Sequence, residues 1–422
     1  SDGALRRGRA GHGSGSPTSG HGIMIGHERV RWWLALAALP SLAACGGSDD
    51  GGKGPTEPPP TEFSLQTVAG GNNVPDRFSS DLSVHGSYAY TGTWGHGTRN
   101  GNVGNLVYIW SLDAAGAPTR VGSVSMSGIN TVSDVEVSSD GAVLLFSGEG
   151  GPNGGIYLYD LADPVHPAFL DSALADGGVH TATFGEIADR RYVFAARNPP
   201  DPALLIYDVT DPADITPAAS VPIPPSYGIH DTYVRDGLAY VFAWNTGVII
   251  YDVGNGMSGG SPSSPVEVGR LVTDDAGLKA GPSVHNGWWF HNPVTDEARY
   301  LFIGQEGPGI LGSGSSGDIH VVDVSDLRHP VEVASFHLDD AGTHNFWMDE
   351  AHQILYAAYY NGGVVALDVS GTLEGDLSDR LLANIRPGGD GNTYVWGVQL
   401  VGGSLYVIDM LSGLWQLGVS LP

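Results

Sequence analysis

Cysteine is almost absent from this sequence, since Cys45 is the only one in 422 residues. A single thiol cannot form a disulfide within the chain, and it cannot supply a zinc cluster built on cysteine. Basic residues are also scarce: 19 Lys and Arg stand against 46 Asp and Glu, for a formal net charge of −27. Nucleic-acid binding needs clustered Lys and Arg for the phosphate backbone, so the composition argues against a nucleic-acid partner and against adhesion to anionic lipid.

Charged residues make up only 15% of the chain, which is too few for a protein of long helices with solvated faces. Glycine is abundant instead, with 63 residues, and the hydrophobic content of 41% is enough to build a core. This balance favours an all-β protein made of short strands and tight turns.

Long apolar runs are missing except near the amino terminus. After Met24, Arg29 and Arg31 precede an apolar run that starts at Trp32. That run has about a dozen residues, fewer than the roughly 20 that a transmembrane helix needs. A basic start followed by a short apolar stretch is typical of an export signal, here residues 24–44.

The signal ends in Leu42-Ala43-Ala44-Cys45, followed by a Gly/Pro/Asp-rich tether that completes residues 45–61. The four-residue sequence resembles the lipobox of bacterial lipoproteins. The resemblance implies lipidation of Cys45 and an exported protein anchored in the cell envelope by lipid alone. Gly46 in place of Asp favours the outer membrane or cell surface. Residues 1–23, upstream of Met24, are expected to be a spurious extension.

A phrase of apolar residues followed by Asp recurs through the rest of the chain. Its equivalent positions are Ser111, Asp160, Asp208, Asp252, Asp323, Asp368 and Gly418. The intervals are 49, 48, 44, 71, 45 and 50 residues, and the longest contains a Gly/Ser-rich insertion at 307–317. Two strand-like runs precede each phrase and another usually follows it. Four short antiparallel strands per period of about 50 residues predict propeller blades, here seven.

The repeated phrase is clearest in IYLYDLADP at 156–164 and LLIYDVTDP at 204–212. It resembles the LVIVD repeat of bacterial surface propellers, and the resemblance extends over residues 62–421. It implies an all-β, seven-bladed β-propeller of four-stranded antiparallel blades at 62–422. The last repeat ends after its third strand, so Glu62–Gly70 is expected to complete that blade and close the ring.

Four repeats place a histidine where their first strand begins: His180, His230, His285 and His344. In a propeller this strand lines the central channel, so the imidazoles are expected to converge at one mouth. The expected equivalents in other repeats are Asp81, Asp134, and Tyr394 or Trp396. The turns between second and third strands are expected on the same face, with Glu149, Arg197, Trp244, Glu306, Tyr360 and Met410.

Three interpretations of the histidines remain open. They tie adjacent blades together through both ring nitrogens. They bind iron, copper or zinc, in an arrangement similar to the four-histidine iron ring of carotenoid cleavage oxygenases. They act as acid or base, paired with Asp231 or Asp134. Trp288 and Trp347 follow two of the histidines and are expected either to pack between blades or to form a stacking surface.

No catalytic residues are assigned, because no nucleophile or cofactor signature accompanies the histidines. We expect a monomeric, non-catalytic scaffold that presents the channel-mouth face to a protein or glycan partner. The alternative is a metal-dependent oxidase or oxygenase that uses the histidine ring. Fold alone does not separate the two, since propellers serve as enzymes and as binding platforms.

Overall fold

The computed structural model describes residues 62–95, 97–112, 117–224, 228–273, 283–309 and 311–422. The predicted extension, export signal, lipobox and tether, including Cys45, lie outside these residues. Pro58–Pro422 form one compact unit. The described residues are mostly β-strand, with a short 3₁₀ turn at Ser378–Arg380. None of their helical segments has the length and apolarity to cross a bilayer.

The described residues form 29 strands. The first fifteen are β1 Ser64–Gly70, β2 Phe78–His85, β3 Tyr88–Trp94, β4 Leu106–Ser111, β5 Thr119–Ser125, β6 Val135–Val137, β7 Val143–Gly148, β8 Gly155–Asp160, β9 Ala168–Leu174, β10 Val179–Ile187, β11 Arg190–Arg197, β12 Ala203–Asp208, β13 Thr216–Pro222, β14 Asp231–Arg235 and β15 Leu238–Phe242. The others are β16 Val248–Asp252, β17 Val266–Leu271, β18 Val284–Asn292, β19 Glu297–Gln305, β20 Ile319–Asp323, β21 Val331–Phe336, β22 Phe346–Asp349, β23 Ile354–Ala358, β24 Val364–Asp368, β25 Gly375–Asp376, β26 Leu381–Ile385, β27 Val395–Val401, β28 Ser404–Asp409 and β29 Gly413–Ser420.

Seven antiparallel sheets follow one another along the chain as blades. Blade 1 contains β2–β5, blade 2 β6–β9, blade 3 β10–β13, blade 4 β14–β17, blade 5 β18–β21, blade 6 β22–β24 with β26, and blade 7 β27–β29 with β1. Each blade has four such strands, which confirms the predicted seven-bladed β-propeller. The short β25 joins blade 5 as a fifth, parallel strand, in which Gly375 pairs with Ala334 of β21.

The amino-terminal strand closes the ring. β1 pairs with β29 in antiparallel register, from Ser64 opposite Ser420 to Gly70 opposite Trp415. The last blade is therefore built from both ends of the propeller, as the missing fourth strand predicted. The closure also covers the outer edge of β29, which would otherwise present unpaired backbone groups.

The hydrophobic core is divided into seven clusters, and each lies between two consecutive blades. One cluster joins Leu145 of blade 2 to Val193 of blade 3, and another joins Leu82 of blade 1 to Ile408 of blade 7. The remaining five clusters fill the other five gaps between blades. Middle strands are thus buried on both faces, which explains their continuous apolar runs.

The repeated aspartate has a structural role at the end of the third strand of its blade. The carboxylates of Asp160, Asp208, Asp323 and Asp368 accept hydrogen bonds from the backbone N–H two residues later, at 2.8–3.0 Å. Asp252 accepts four such bonds, from backbone N–H groups between Gly254 and Gly260. The carboxylate fixes the turn to the outer strand, which is why this residue type recurs.

Candidate functional site

The four predicted histidines form a continuous arc at one end of the central channel. Ring centroids lie 4.7 Å apart for His180 and His230, 5.4 Å for His230 and His285, and 4.1 Å for His285 and His344. His285 and His344 are 2% exposed, and the other two are partly buried. Residues far apart in sequence thus converge, because each occupies the same place in its blade.

Glycines before two of these histidines adopt positive φ angles in the turns that lead to the channel. Gly177 and Gly178 precede His180 with φ of +87° and +80°, and Gly228 precedes His230 with φ of +92°. Side chains other than glycine rarely adopt these angles. The turns bring the chain from the outer strand of one blade back to the channel, where the imidazole follows directly.

Glu306 places a carboxylate among three of the imidazoles. Its Oε2 lies 3.7 Å from Nδ1 of His230 and 3.8 Å from Nε2 of His285, and its Oε1 lies 4.0 Å from Nε2 of His344. The hydroxyl of Tyr360 donates a hydrogen bond to Oε1. Burial raises the pKa of Glu306 to about 7, although the Tyr360 hydrogen bond and the charge of His180 act in the opposite direction.

His180 differs from the other three imidazoles in its charge state. Burial lowers the pKa of His180, but the charge of Glu149 and its 3.2 Å contact with Nδ1 outweigh that effect and raise the pKa to about 9. Asn198 also donates to Glu149, at 2.8 Å. Burial and neighbouring imidazoles hold the pKa of His230 and of His285 well below the usual range.

His344 is fixed in one orientation by the next blade. Its Nδ1 donates to the backbone carbonyl oxygen of Trp396 at 2.7 Å, so Nε2 faces the channel as the free nitrogen. Burial also lowers the pKa of His344 well below the usual range, which keeps the ring neutral. In contrast, the buried Nδ1 atom of His230 forms no hydrogen bond.

A cavity of about 180 Å³ opens beside the histidines. Its wall is largely aromatic and apolar, formed by Trp94, His180, His230, His285, Glu306, Pro308, Gly309, Leu311, His344, Tyr360, Tyr394, Trp396 and Met410. Pro308, Gly309 and Leu311 belong to the insertion at 307–317, whose ends are joined by a bridge between Gly307 and Ser316. The insertion therefore forms part of the mouth.

The three aspartates predicted for the mouth lie further along the channel. Asp81, Asp134 and Asp231 line a second cavity of about 360 Å³ together with Trp288 and Trp347. A narrow space of about 20 Å³ separates the two, bordered by Asp134, Asp231 and the histidines other than His230. The mouth and this second cavity are thus two layers of one channel, not a single ring of side chains.

The second cavity is lined by carboxyl groups whose pKa is raised, which favours their protonated form. Burial and the adjacent Asp134 carboxyl raise the pKa of Asp81 well above its usual range. Burial likewise raises the pKa of Asp231, and it raises that of Glu136 to about 8. Asn345 donates to Asp81 at 2.8 Å.

The tryptophans of the second cavity pack between blades, which was one of the two expectations. Trp288 and Trp347 contact each other across blades 5 and 6 at 5.5 Å, and both line the cavity. Trp288 also donates from Nε1 to Glu350 at 3.3 Å.

The remaining predicted mouth residues fall into two groups. Trp244 stacks on His230 at 4.1 Å, and Trp396 contacts His344 at 4.2 Å. Arg197 lies outside the described cavities, because its guanidinium donates to the backbone carbonyl oxygen of Asp201. Its neighbour Asn198 reaches Glu149 instead, a role that the sequence did not indicate.

The contacts bear differently on the three interpretations. His180 with Glu149 and His344 with Trp396 are ties between adjacent blades. The predicted pairing of a histidine with Asp134 or Asp231 is replaced by the His180–Glu149 contact, and Asp134 accepts from the backbone of Ala182 instead. Candidate metal ligands form two overlapping groups: His180, His230 and His285, and His285, Glu306 and His344.

Comparison with known proteins reveals a likeness of fold. No protein-family model matches the chain, and no curated protein matches it. Two crystal structures of Sqt1 from Chaetomium thermophilum are similar, with TM-scores of 0.55 and 0.54 at 13% identity, and each covers 83% of this chain and 86% of that one. The architecture is shared. At this identity the likeness concerns the propeller alone.

Proposed function

We propose that this protein is an exported, lipid-anchored propeller that binds a partner at the histidine-lined mouth of its channel, and that this partner is a glycan. The observation that carries the proposal is the aromatic cavity at the mouth, to which blades 1 and 3 to 7 all contribute. A wall assembled from so many blades is rigid, and rigid scaffolds carry precise binding sites.

The size of the cavity favours the end of a large partner. Its volume of about 180 Å³ is smaller than the roughly 300–1,000 Å³ of ligand pockets that enclose a whole small molecule. One sugar ring fits this space, with Trp94 and Tyr394 offering aromatic faces and Glu306 a buried acceptor. The net charge of −27 opposes anionic polymers, so a neutral or amino sugar is the favoured class.

Binding of short neutral and amino-sugar oligosaccharides, measured by a glycan array and then by calorimetry, tests the proposal. Trp94→Ala is expected to weaken binding about 30-fold, the effect of losing an aromatic contact worth about 2 kcal/mol. Phe169→Ala is the matched control, because Phe169 is 55% exposed on the outer strand β9. Binding to proteins but to no glycan, or equal losses in both variants, would contradict a glycan partner at the mouth.

The envelope location is proposed from the Leu42-Ala43-Ala44-Cys45 resemblance. Acyl chains on Cys45 would hold the propeller at a membrane without a spanning helix. Expression in a bacterial host is expected to leave the wild-type protein in the membrane fraction and Cys45→Ser in the soluble fraction. Recovery of both forms in the same fraction would contradict a lipid anchor at this residue.

A further inference from the structure

We propose that the histidine arc binds one first-row divalent transition-metal ion among His180, His230, His285, His344 and Glu306. The two candidate ligand groups share His285, so an ion bound to His285 is held either with His180 and His230 or with Glu306 and His344. Within each group the ligand atoms lie within 4.8 Å of one another. Ligands about 2.1 Å from a metal lie at most about 4.2 Å apart, so shifts of a few tenths of an ångström complete the coordination.

Two of the imidazoles are already oriented as metal ligands usually are. His344 donates Nδ1–H to a backbone carbonyl oxygen, and His180 contacts the Glu149 carboxylate through Nδ1. Such contacts fix the tautomer and turn the opposite nitrogen, Nε2, toward the ion.

A third imidazole, that of His230, lacks the partner that a buried nitrogen requires. Its Nδ1 is buried and forms no hydrogen bond, and it faces Oε2 of Glu306 at 3.7 Å. An unsatisfied buried polar group costs free energy, and nearly all such groups in native proteins have a partner. A bound cation would supply one.

Charge and ligand type select the class of ion. Metal binding displaces the proton from Nε2 of His180, so the imidazoles around the ion are neutral. Glu306 and Glu149 then offset the two positive charges of a divalent ion. Imidazole nitrogen with one carboxylate suits Zn²⁺, Cu²⁺, Fe²⁺ or Ni²⁺, whereas Mg²⁺ and Ca²⁺ prefer oxygen ligands. The mouth cavity, which the four histidines also line, gives an entry path.

Metal titration of the purified protein after chelator treatment tests this site, with Zn²⁺ followed by calorimetry and Co²⁺ by visible absorption. One equivalent per chain is expected, with affinity about 100-fold lower in His285→Ala. Glu149→Gln keeps the size of the side chain and is expected to weaken binding about 10-fold. His166→Ala is the control, because His166 is an exposed histidine beside Asp163 at a surface turn.

Circular dichroism of each variant without metal reports whether it folds. Zn²⁺ is also expected to raise the melting temperature of the wild-type protein but not of His285→Ala, because an ion that binds only the native state stabilises it. The proposal is overturned if wild type binds no ion more tightly than His285→Ala, or if His166→Ala loses as much affinity. Failure of glycan binding would leave these results unchanged, so the two proposals are tested separately.

Discussion

Replacing Leu65 by alanine tests whether strand β1 closes the ring in solution. Leu65 is 8% exposed and lies in the core between blades 6 and 7, in one cluster with Trp415 and Leu417. Truncating a buried leucine to alanine costs about 2–5 kcal/mol of unfolding free energy. Because Leu65 lies on an outermost strand, we expect the lower end, about 2 kcal/mol. Urea denaturation followed by tryptophan fluorescence measures the loss.

Val68 on the same strand is the matched control. It is 61% exposed, so Val68→Ala is expected to change the unfolding free energy by no more than about 0.5 kcal/mol. Similar small losses in both variants would refute the docking of β1. Deletion of residues 62–70 adds a second readout, since it uncovers the edge of β29 and is expected to produce dimers or aggregates in size-exclusion chromatography.

Three further changes probe the channel and the repeat. Tyr360→Phe removes the hydrogen bond to Glu306 and is expected to cost about 1–3 kcal/mol in urea denaturation; no loss would mean that the bond is absent in solution. Burial opposes ionisation of Asp252, yet four backbone donors lower its pKa to about 2. Asp252→Asn is therefore expected to cost about 2 kcal/mol of unfolding free energy at pH 7. This difference from the wild-type protein should disappear as pH falls from about 4 toward 2. Burial raises the folded-state pKa of Glu136 from the usual 4.5 to about 8. The contribution of Glu136 to the unfolding free energy is therefore fully present below pH 4.5 and is lost as pH rises through 8. In urea denaturation, Glu136→Gln should make the decline between these pH values shallower by up to about 1.4 kcal/mol per pH unit, and an unchanged slope would contradict the burial.

The fold could be predicted from the sequence because its signals are local and repeated. The seven positions from Ser111 to Gly418 occupy similar places, since each pairs with a residue in the first half of the second strand of its blade. Apolar runs fix the middle strands, and the fourth strand of the last blade is β1, as the three-stranded last repeat predicted. Convergence of the histidines follows from ring closure.

The layering of the channel could not be predicted, because irregular pairing shifts the side chains. The first strands of blades 1, 3, 5 and 7 contain β-bulges, for example between Val179 and Ala182. Each bulge changes which residues face the axis, so counting along the strand placed Asp81 with the histidines. Arg197 and Asn198 are neighbours whose side chains point to opposite sides, so a shift of one residue decides which of them reaches Glu149.

The pairing of β1 with β29 also fixes the face of the propeller on which β1 begins. Met410 precedes β29 at the mouth, and β29 runs from there to Ser420, so Ser64 at the start of β1 lies on the opposite face. Ser420, its partner, lies on that face too, so a group attached at either end of the described propeller would leave the histidine-lined opening accessible.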